Sequence, residues 1–222
     1  MVRFRNLVFG LALIVAPAIS SAQITIGAPG GLRVSPFGRP NTATYGQSIT
    51  APIGATSLND FSFWLGDLQG VSFNAYVYAW DEATFRATGS AIFTSAPIAG
   101  PMGGTPFTQV TVNTGSTAVS AGAMYVMFFS TSGIISTDNT NVWSLSPPNA
   151  YAGGTFVFQN NGDDMTSWTG TGWESFPEDL QFEANFNQSV VPEPASMVLL
   201  GSGLAGVVLM VRRRRKNQVE NY

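Results

Sequence analysis

Alternation with a period of two dominates the chain after residue 55. Phe61, Phe63 and Leu65 alternate with Ser62, Trp64 and Gly66. Phe73, Ala75, Val77 and Ala79 share one face, while Asn74, Tyr76, Tyr78 and Trp80 share the other. Thr108, Val110 and Val112 alternate with Gln109, Thr111 and Asn113, and Phe156 and Phe158 flank Val157. The cleanest run sets Leu180, Phe182, Ala184 and Phe186 against Gln181, Glu183, Asn185 and Asn187. Successive side chains of a strand point to opposite faces, so each run predicts a strand with one buried face. Met124 to Phe129 is apolar throughout and predicts a strand covered on both faces. Gln47 to Ile53 and Ala91 to Ser95 bring the expectation to about eight strands. Turn signals separate them, among them Gly103-Gly104, Ser132-Gly133, Gly153-Gly154 and Asn161-Gly162. No long helical stripe interrupts the pattern. The expected fold is therefore all-β: a single jelly-roll-like two-sheet sandwich over residues 23–189. Within it, the Gly/Pro-rich stretch 23–46 is expected as one edge strand or a loose arm, and Pro97 to Pro106 as a connecting loop.

Composition narrows the chemistry. The 222 residues contain no cysteine and no histidine. That excludes disulfides, a Cys or His nucleophile or base, a Ser-His-Asp triad and any zinc site built from thiolate or imidazole. Charge is sparse, at 10% against a usual figure of about 25%. It is also segregated. Between Gln23 and Val191 stand three arginines and eleven acids, a net of −8. Such a surface repels phosphate backbones, so no nucleic-acid partner is expected.

The two ends carry the remaining cations. Arg3 and Arg5 precede the apolar run Leu7 to Ala16, Pro17 breaks it, and Ser20-Ser21-Ala22 supplies small residues before Gln23. This is the grammar of a secretory signal peptide over residues 1–22, with cleavage between Ala22 and Gln23. At the other end, Ala195 to Val211 is 17 residues without a charge, the lower limit of a membrane-spanning helix. Arg212, Arg213, Arg214, Arg215 and Lys216 follow at once and fix the topology, since such clusters stay cytoplasmic. Ahead of the span, Pro192, Glu193 and Pro194 cannot continue a helix or strand interior and leave an extended segment open to cutting.

Those three parts, in that order over residues 190–216, resemble the PEP-CTERM sorting signal of proteins exported by Gram-negative bacteria. The resemblance implies secretion machinery and an integral-membrane exosortase as partners, with Pro192, Glu193 and Pro194 as the recognised motif. It implies transient anchoring through the C-terminal helix and release to the outer envelope or extracellular matrix. It also implies an association with exopolysaccharide and biofilm. A second set, Trp143, Tyr151-Ala152-Gly153-Gly154, Trp168 or Trp173, and Asp179-Leu180-Gln181-Phe182, resembles the choice-of-anchor extracellular β-domains.

Three candidate chemistries remain for the sandwich. The stripe Tyr76, Tyr78 and Trp80 could stack on sugar rings as the platform of a carbohydrate-binding module, or pack beneath a second layer as core. Asn161, Asp163 and Asp164, beside Asn160, offer oxygen ligands of the kind Ca²⁺ takes. They are also ordinary turn residues, and no D-x-[DN]-x-[DN]-G loop is present, so no metal is expected. Asp67, Asp81, Glu82, Glu174 and Glu178 are the acids from which a glycoside hydrolase would need to draw a pair, and no spacing nominates two of them. The expectation is a non-enzymatic structural or adhesive protein without a cofactor. A carbohydrate-binding module and an acidic glycoside hydrolase are the alternatives.

Overall fold

The chain enters the fold through β1 (Ala22–Ala28), β2 (Leu32–Phe37) and β3 (Thr44–Thr50), followed by the long β4 (Ala55–Gly66). Next come β5 (Ser72–Asp81), β6 (Arg86–Thr94), the short β7 (Ile98–Ala99), β8 (Thr108–Ala118) and β9 (Met124–Ser130). Then follow β10 (Asn141–Pro148), β11 (Phe156–Gln159), a helical turn α1 (Ser167–Gly170), β12 (Glu174–Ser175), β13 (Glu178–Leu180) and β14 (Phe182–Gln188). The structure is a computed structural model that describes residues 22–40, 42–66, 71–101, 106–134, 141–189, 201–210 and 212.

Two antiparallel sheets result. The first runs β1-β14-β4-β10-β13, with β2 added on β10 and β8 on β4; the second runs β12-β11-β3-β9-β5-β6, with β7 on β5. Their facing sides make the core. The first sheet supplies Phe61, Phe63 and Leu65, Trp143 and Leu145, and Phe182, Ala184 and Phe186. The second supplies Tyr45 and Ile49, Phe73, Ala75 and Val77, and Tyr125, Met127 and Phe129. Rings interlock across the layer: Phe63 meets Phe129 edge-on at 5.1 Å, and Phe129 lies 5.4 Å from Trp143. Aromatic pairs in such geometry add about 0.5–1.5 kcal/mol beyond the area they bury.

The alternation along β14 is observed as expected, with Phe182, Ala184 and Phe186 buried and their neighbours half-buried. The run is nevertheless split at Gln181, whose N–H donates to the Ser144 carbonyl, so that β13 pairs with β10 and β14 with β4 and β1. The larger departure is at 23–46. This stretch holds β1, β2 and the start of β3, more than the edge strand or arm expected. β1 pairs with β14 along its whole length, Ala22 opposite Gln188 to Ala28 opposite Phe182. Phe37 of β2 is fully buried, 4.9 Å from Trp143. Glycines and prolines masked two short strands whose anchoring rings come from far along the chain.

The sheets are also tied by one buried polar contact. Gln47 of β3 donates through Nε2 to Asp179 Oδ1 of β13 at 2.8 Å and accepts the Leu180 N–H at 2.9 Å. Asp179 Oδ2 accepts the Tyr151 N–H at 2.9 Å. Asp179 is 1% exposed, and burial raises its pKa from the ordinary carboxylate value against the pull of these hydrogen bonds.

Residues 22–189 belong to one compact unit. The signal segment before Ala22 and the Pro192-Glu193-Pro194 motif lie outside the described residues. Of the expected membrane span, residues 201–210 are helical. No helix among the described residues is long and apolar enough to cross a membrane. The rest of Ala195 to Val211 and the cations Arg213 to Lys216 lie outside them.

Two outcomes follow for stability. Phe182→Ala removes a ring that is 2% exposed and packs 5.2 Å from Tyr151, and should cost about 3–5 kcal/mol in a denaturant melt. Gln181→Ala, half-buried on the opposite pleat, should cost less than about 1 kcal/mol. Equal small losses would show that this register is wrong. The second concerns pH. Asp179 has its folded pKa raised, so the native state binds the extra proton above the unfolded value, and stability falls as pH rises through the folded value. Asp81 and Asp164 have lowered values and act in the opposite sense, losing stability as pH falls below the ordinary range. Melts taken upward from about pH 4, near the ordinary carboxylate value, should therefore show a decline that Asp179→Asn flattens. A decline unchanged in that variant would refute the assignment.

Candidate functional site

β9 is apolar on both sides. Tyr125, Met127 and Phe129 face the core between the sheets, and Val126 and Phe128 face outward. A sheet face carrying such residues must be covered, and residues 160–173 cross it as a strap. Trp168 of α1 lies 5.0 Å from Phe128 and 4.8 Å from Tyr76. Trp173 lies 5.2 Å from Phe128 and 5.8 Å from Trp80. Gly46 of β3 makes the room, since a Cβ there would come within 2.7 Å of the Phe128 Cβ.

The stripe Tyr76, Tyr78 and Trp80 thus belongs to a second hydrophobic cluster: of the two readings of this stripe, sugar platform or core beneath a second layer, the structure shows the packed one. Tyr76 and Trp80 are each 6% exposed and Tyr78 is half-buried. Burial, followed by the neighbouring Tyr76, raises the Tyr78 hydroxyl pKa. The Trp80 indole N–H is satisfied by Glu82 Oε2 at 2.7 Å.

The strap is pinned by polar side chains from three segments. Trp168 Nε1 donates to Thr44 Oγ1 at 3.2 Å, and Thr44 donates to Asn161 Oδ1 at 2.9 Å. Asn161 Nδ2 donates to Ser132 Oγ at 2.9 Å, and Ser132 donates to the Gly162 carbonyl at 2.7 Å. Asp163 accepts the Gly133 N–H at 3.1 Å and pairs with Arg39. Asp164 accepts the Thr166 hydroxyl at 2.6 Å and its N–H at 2.9 Å, bonds that hold its carboxyl below the usual range. Of the calcium candidates, Asn161 Oδ1, both oxygens of Asp163 and Asp164 Oδ1 thus take part in turn and strap bonds, and Asp163 faces a guanidinium. Among the described residues, no three acidic side chains gather where they could hold a metal ion.

The acids nominated for a catalytic pair are dispersed. Asp81 caps the β5–β6 turn, accepting from Thr84 Oγ1 at 2.6 Å and the Ala83 N–H at 3.0 Å, which lowers its pKa. Glu82 follows it on the hairpin, Glu178 begins β13 in the other sheet, and Glu174 begins the edge strand β12. Asp67 lies outside the described residues.

One cavity, of about 210 Å³, opens where the strap leaves β11. It is lined by Phe158, Gln159, Asn160, Ser167, Thr171 and Glu174 with their neighbours. Gln159 Nε2 donates to the Ser167 carbonyl at 3.0 Å and its Oε1 accepts the Ser167 hydroxyl at 2.9 Å, which fixes the wall. Asn160 accepts from Thr42 at 2.7 Å and donates to Glu174 Oε1 at 3.2 Å. Glu174 is the single carboxylate in the lining. Beside it, Phe176 is 44% exposed and stacks on Phe158 at 5.2 Å and 23°. The sequence singles out Asn160 and Glu174 without joining them, and does not mark Phe176. A two-residue strand is too short to show an alternation, so nothing local identifies these residues as neighbours.

No curated protein matches the chain. A solved structure of the clostridial cysteine protease Cwp84, in a variant form after propeptide cleavage, is similar at 12% identity, with a TM-score of 0.52. The match covers 75% of this chain and 40% of that one, so this chain spans well under half of that protein. At such identity the likeness concerns the fold alone, and this chain has no cysteine to act as a nucleophile. The sorting segment is matched directly by a family model, that of the PEP-CTERM protein-sorting motif, over residues 190–215. The chain thus carries a PEP-CTERM protein-sorting motif, the address of an exported protein that is anchored in the membrane before an exosortase processes it.

Proposed function

We propose that this chain is a non-enzymatic surface or matrix protein of a Gram-negative bacterium. Its jelly-roll-like sandwich serves as a structural or adhesive element among the exopolysaccharide of a biofilm. The sorting motif at residues 190–215 carries the reading. The sandwich supports it. Its last strand ends at Gln188, and the Ser189 N–H donates to the Gly54 carbonyl at 2.9 Å, so the ladder is complete before Pro192. A cut at Pro192 to Pro194 falls beyond Gln188, the last residue of β14. β1 begins at Ala22 opposite Gln188, so removal of residues 1–22 takes at most the first rung of that ladder. Both trimming sites thus fall at the ends of the β1–β14 ladder. The dispersed acids and the lone carboxylate of the cavity favour a binding or structural role over glycoside hydrolysis, which needs two carboxyl groups across one bond.

Mass spectrometry of the mature protein from its native host should find an N-terminus at Gln23 and a C-terminus near Pro192 to Pro194. An intact tail through Tyr222 in the final product would overturn the processing claim. Replacing Arg212 to Arg215 and Lys216 by Gln should weaken membrane retention and release unprocessed precursor, because the cations resist crossing outward. Unchanged topology and processing, read by fractionation and immunoblot, would refute that role.

A further inference from the structure

We propose that the open edge of the second sheet is a binding site for a pyranose ring of an extracellular polysaccharide. The site consists of Phe158, Asn160 and Glu174 in the wall of the cavity and of Phe176, two residues on from Glu174 and stacked on Phe158. The proposal goes beyond the function above by assigning the site, and it rests on that reading only in placing the protein among polysaccharide.

The register builds the site. Phe158 is directly opposite Glu174, and the Phe176 N–H donates to the Phe156 carbonyl. Directly opposed residues of an antiparallel pair share a face, as do residues two apart along one strand. Phe158, Asn160, Glu174 and Phe176 therefore stand on one side of the β11–β12 ladder. The Asn160–Glu174 bond closes one end of this strip and the stacked rings close the other. Phe176 is held flat by two neighbours, Phe158 and, at 5.7 Å and 12°, Phe156, while 44% of it stays open to solvent. The strip lies on the side of the ladder where Phe156 and Phe158 pack against Tyr45, and β12 is the terminal strand of its sheet, so among the described residues no strand pairs with its outer edge.

The chemistry selects the ligand class. An exposed, pre-oriented ring face takes the apolar C–H face of a sugar at little entropic cost. The carboxylate of Glu174 accepts from hydroxyl groups, and the Asn160 amide and the Thr171 hydroxyl complete a polar rim. No cation lines the cavity, and the guanidinium of Arg39 is committed to Asp163 and to the Ile134 carbonyl. A phosphate or another anion would therefore meet Glu174 without a counter-charge, which disfavours it. The cavity is below the roughly 300–1,000 Å³ of a drug-sized pocket, and its size suits one ring of a chain that continues along the surface.

The test is affinity gel electrophoresis of the mature protein in gels containing dextran, xylan or chitosan. Retardation should appear in at least one of these gels. Chitosan alone would mark an amino sugar, drawn by Glu174; dextran or xylan would mark a neutral one. Phe176→Ala and Glu174→Gln should each weaken the retardation about tenfold. Phe176→Ala also gives up two ring contacts and should lower the thermal midpoint slightly, whereas Glu174→Gln, exposed and still able to accept from Asn160, should leave it unchanged. Gln109→Ala, on the outer face of the first sheet, should leave it unaltered. Retardation that survives both substitutions would overturn this site while leaving association with polysaccharide standing. Absence of retardation in all three gels would overturn the site and the polysaccharide association together, and leave the sorting claim to the measured termini.

Discussion

β9 has no face it can show to water, and most of the architecture answers that constraint. Tyr125, Met127 and Phe129 demand one cover and Val126 and Phe128 demand another. Leaving a single large side chain exposed forfeits about 1.5–3 kcal/mol, a large share of the roughly 5–15 kcal/mol that holds a domain together. The first sheet supplies the inner cover. The outer cover comes from the strap at 160–173, with Trp168 and Trp173 as its apolar contacts. Once the strap is laid across the second sheet, Tyr76 and Trp80 lose their solvent face, and the strap's junction with β11 leaves the cavity beside Glu174. The buried stripe and the open groove are thus two consequences of one packing requirement.

Hydrophobic cover alone does not fix where a strap lies, because burial has no direction. Position comes from the chain of bonds linking Trp168, Thr44, Asn161, Ser132 and Gly162. The Gln47–Asp179 contact does the same for the two sheets. Buried polar groups are costly when unpaired, so each such link penalises any alternative register. The polar residues of 160–164, which by type suit a cation, are better understood as the fasteners of this strap.

Much of the sandwich was legible because its signals are local. The alternations at 61–65, 73–79 and 180–186 are borne by adjacent residues and read directly as buried faces, and the apolar run at 124–129 announced two-sided burial. What escaped depends on partners distant in sequence. β1 is a strand because β14 lies beside it 160 residues later, where Thr25 meets Asn185. Whether Tyr76, Tyr78 and Trp80 would be a surface or a core turned on Trp168 and Trp173, which no periodicity in 72–81 reveals. The edge strip was hidden for the same reason. Glu174 and Phe176 gain meaning from Phe158 and Asn160, and only the ladder joins them.

The sorting motif was the most legible feature, and the contrast with the sandwich is physical. A sorting segment works through its linear sequence: prolines are incompatible with helix and strand interiors, apolar stretches partition into lipid, and clustered cations resist crossing a membrane. None of these properties needs a folded partner. The sandwich's surface, in contrast, exists only after two sheets and a strap have assembled. The β14 ladder closes at Gln188, and the Gly54 carbonyl accepts the Ser189 N–H, so the pairing of the last strand is complete ahead of the motif. The address is thus written after the last strand, in residues 190–215, and the strands that make the sandwich all precede it.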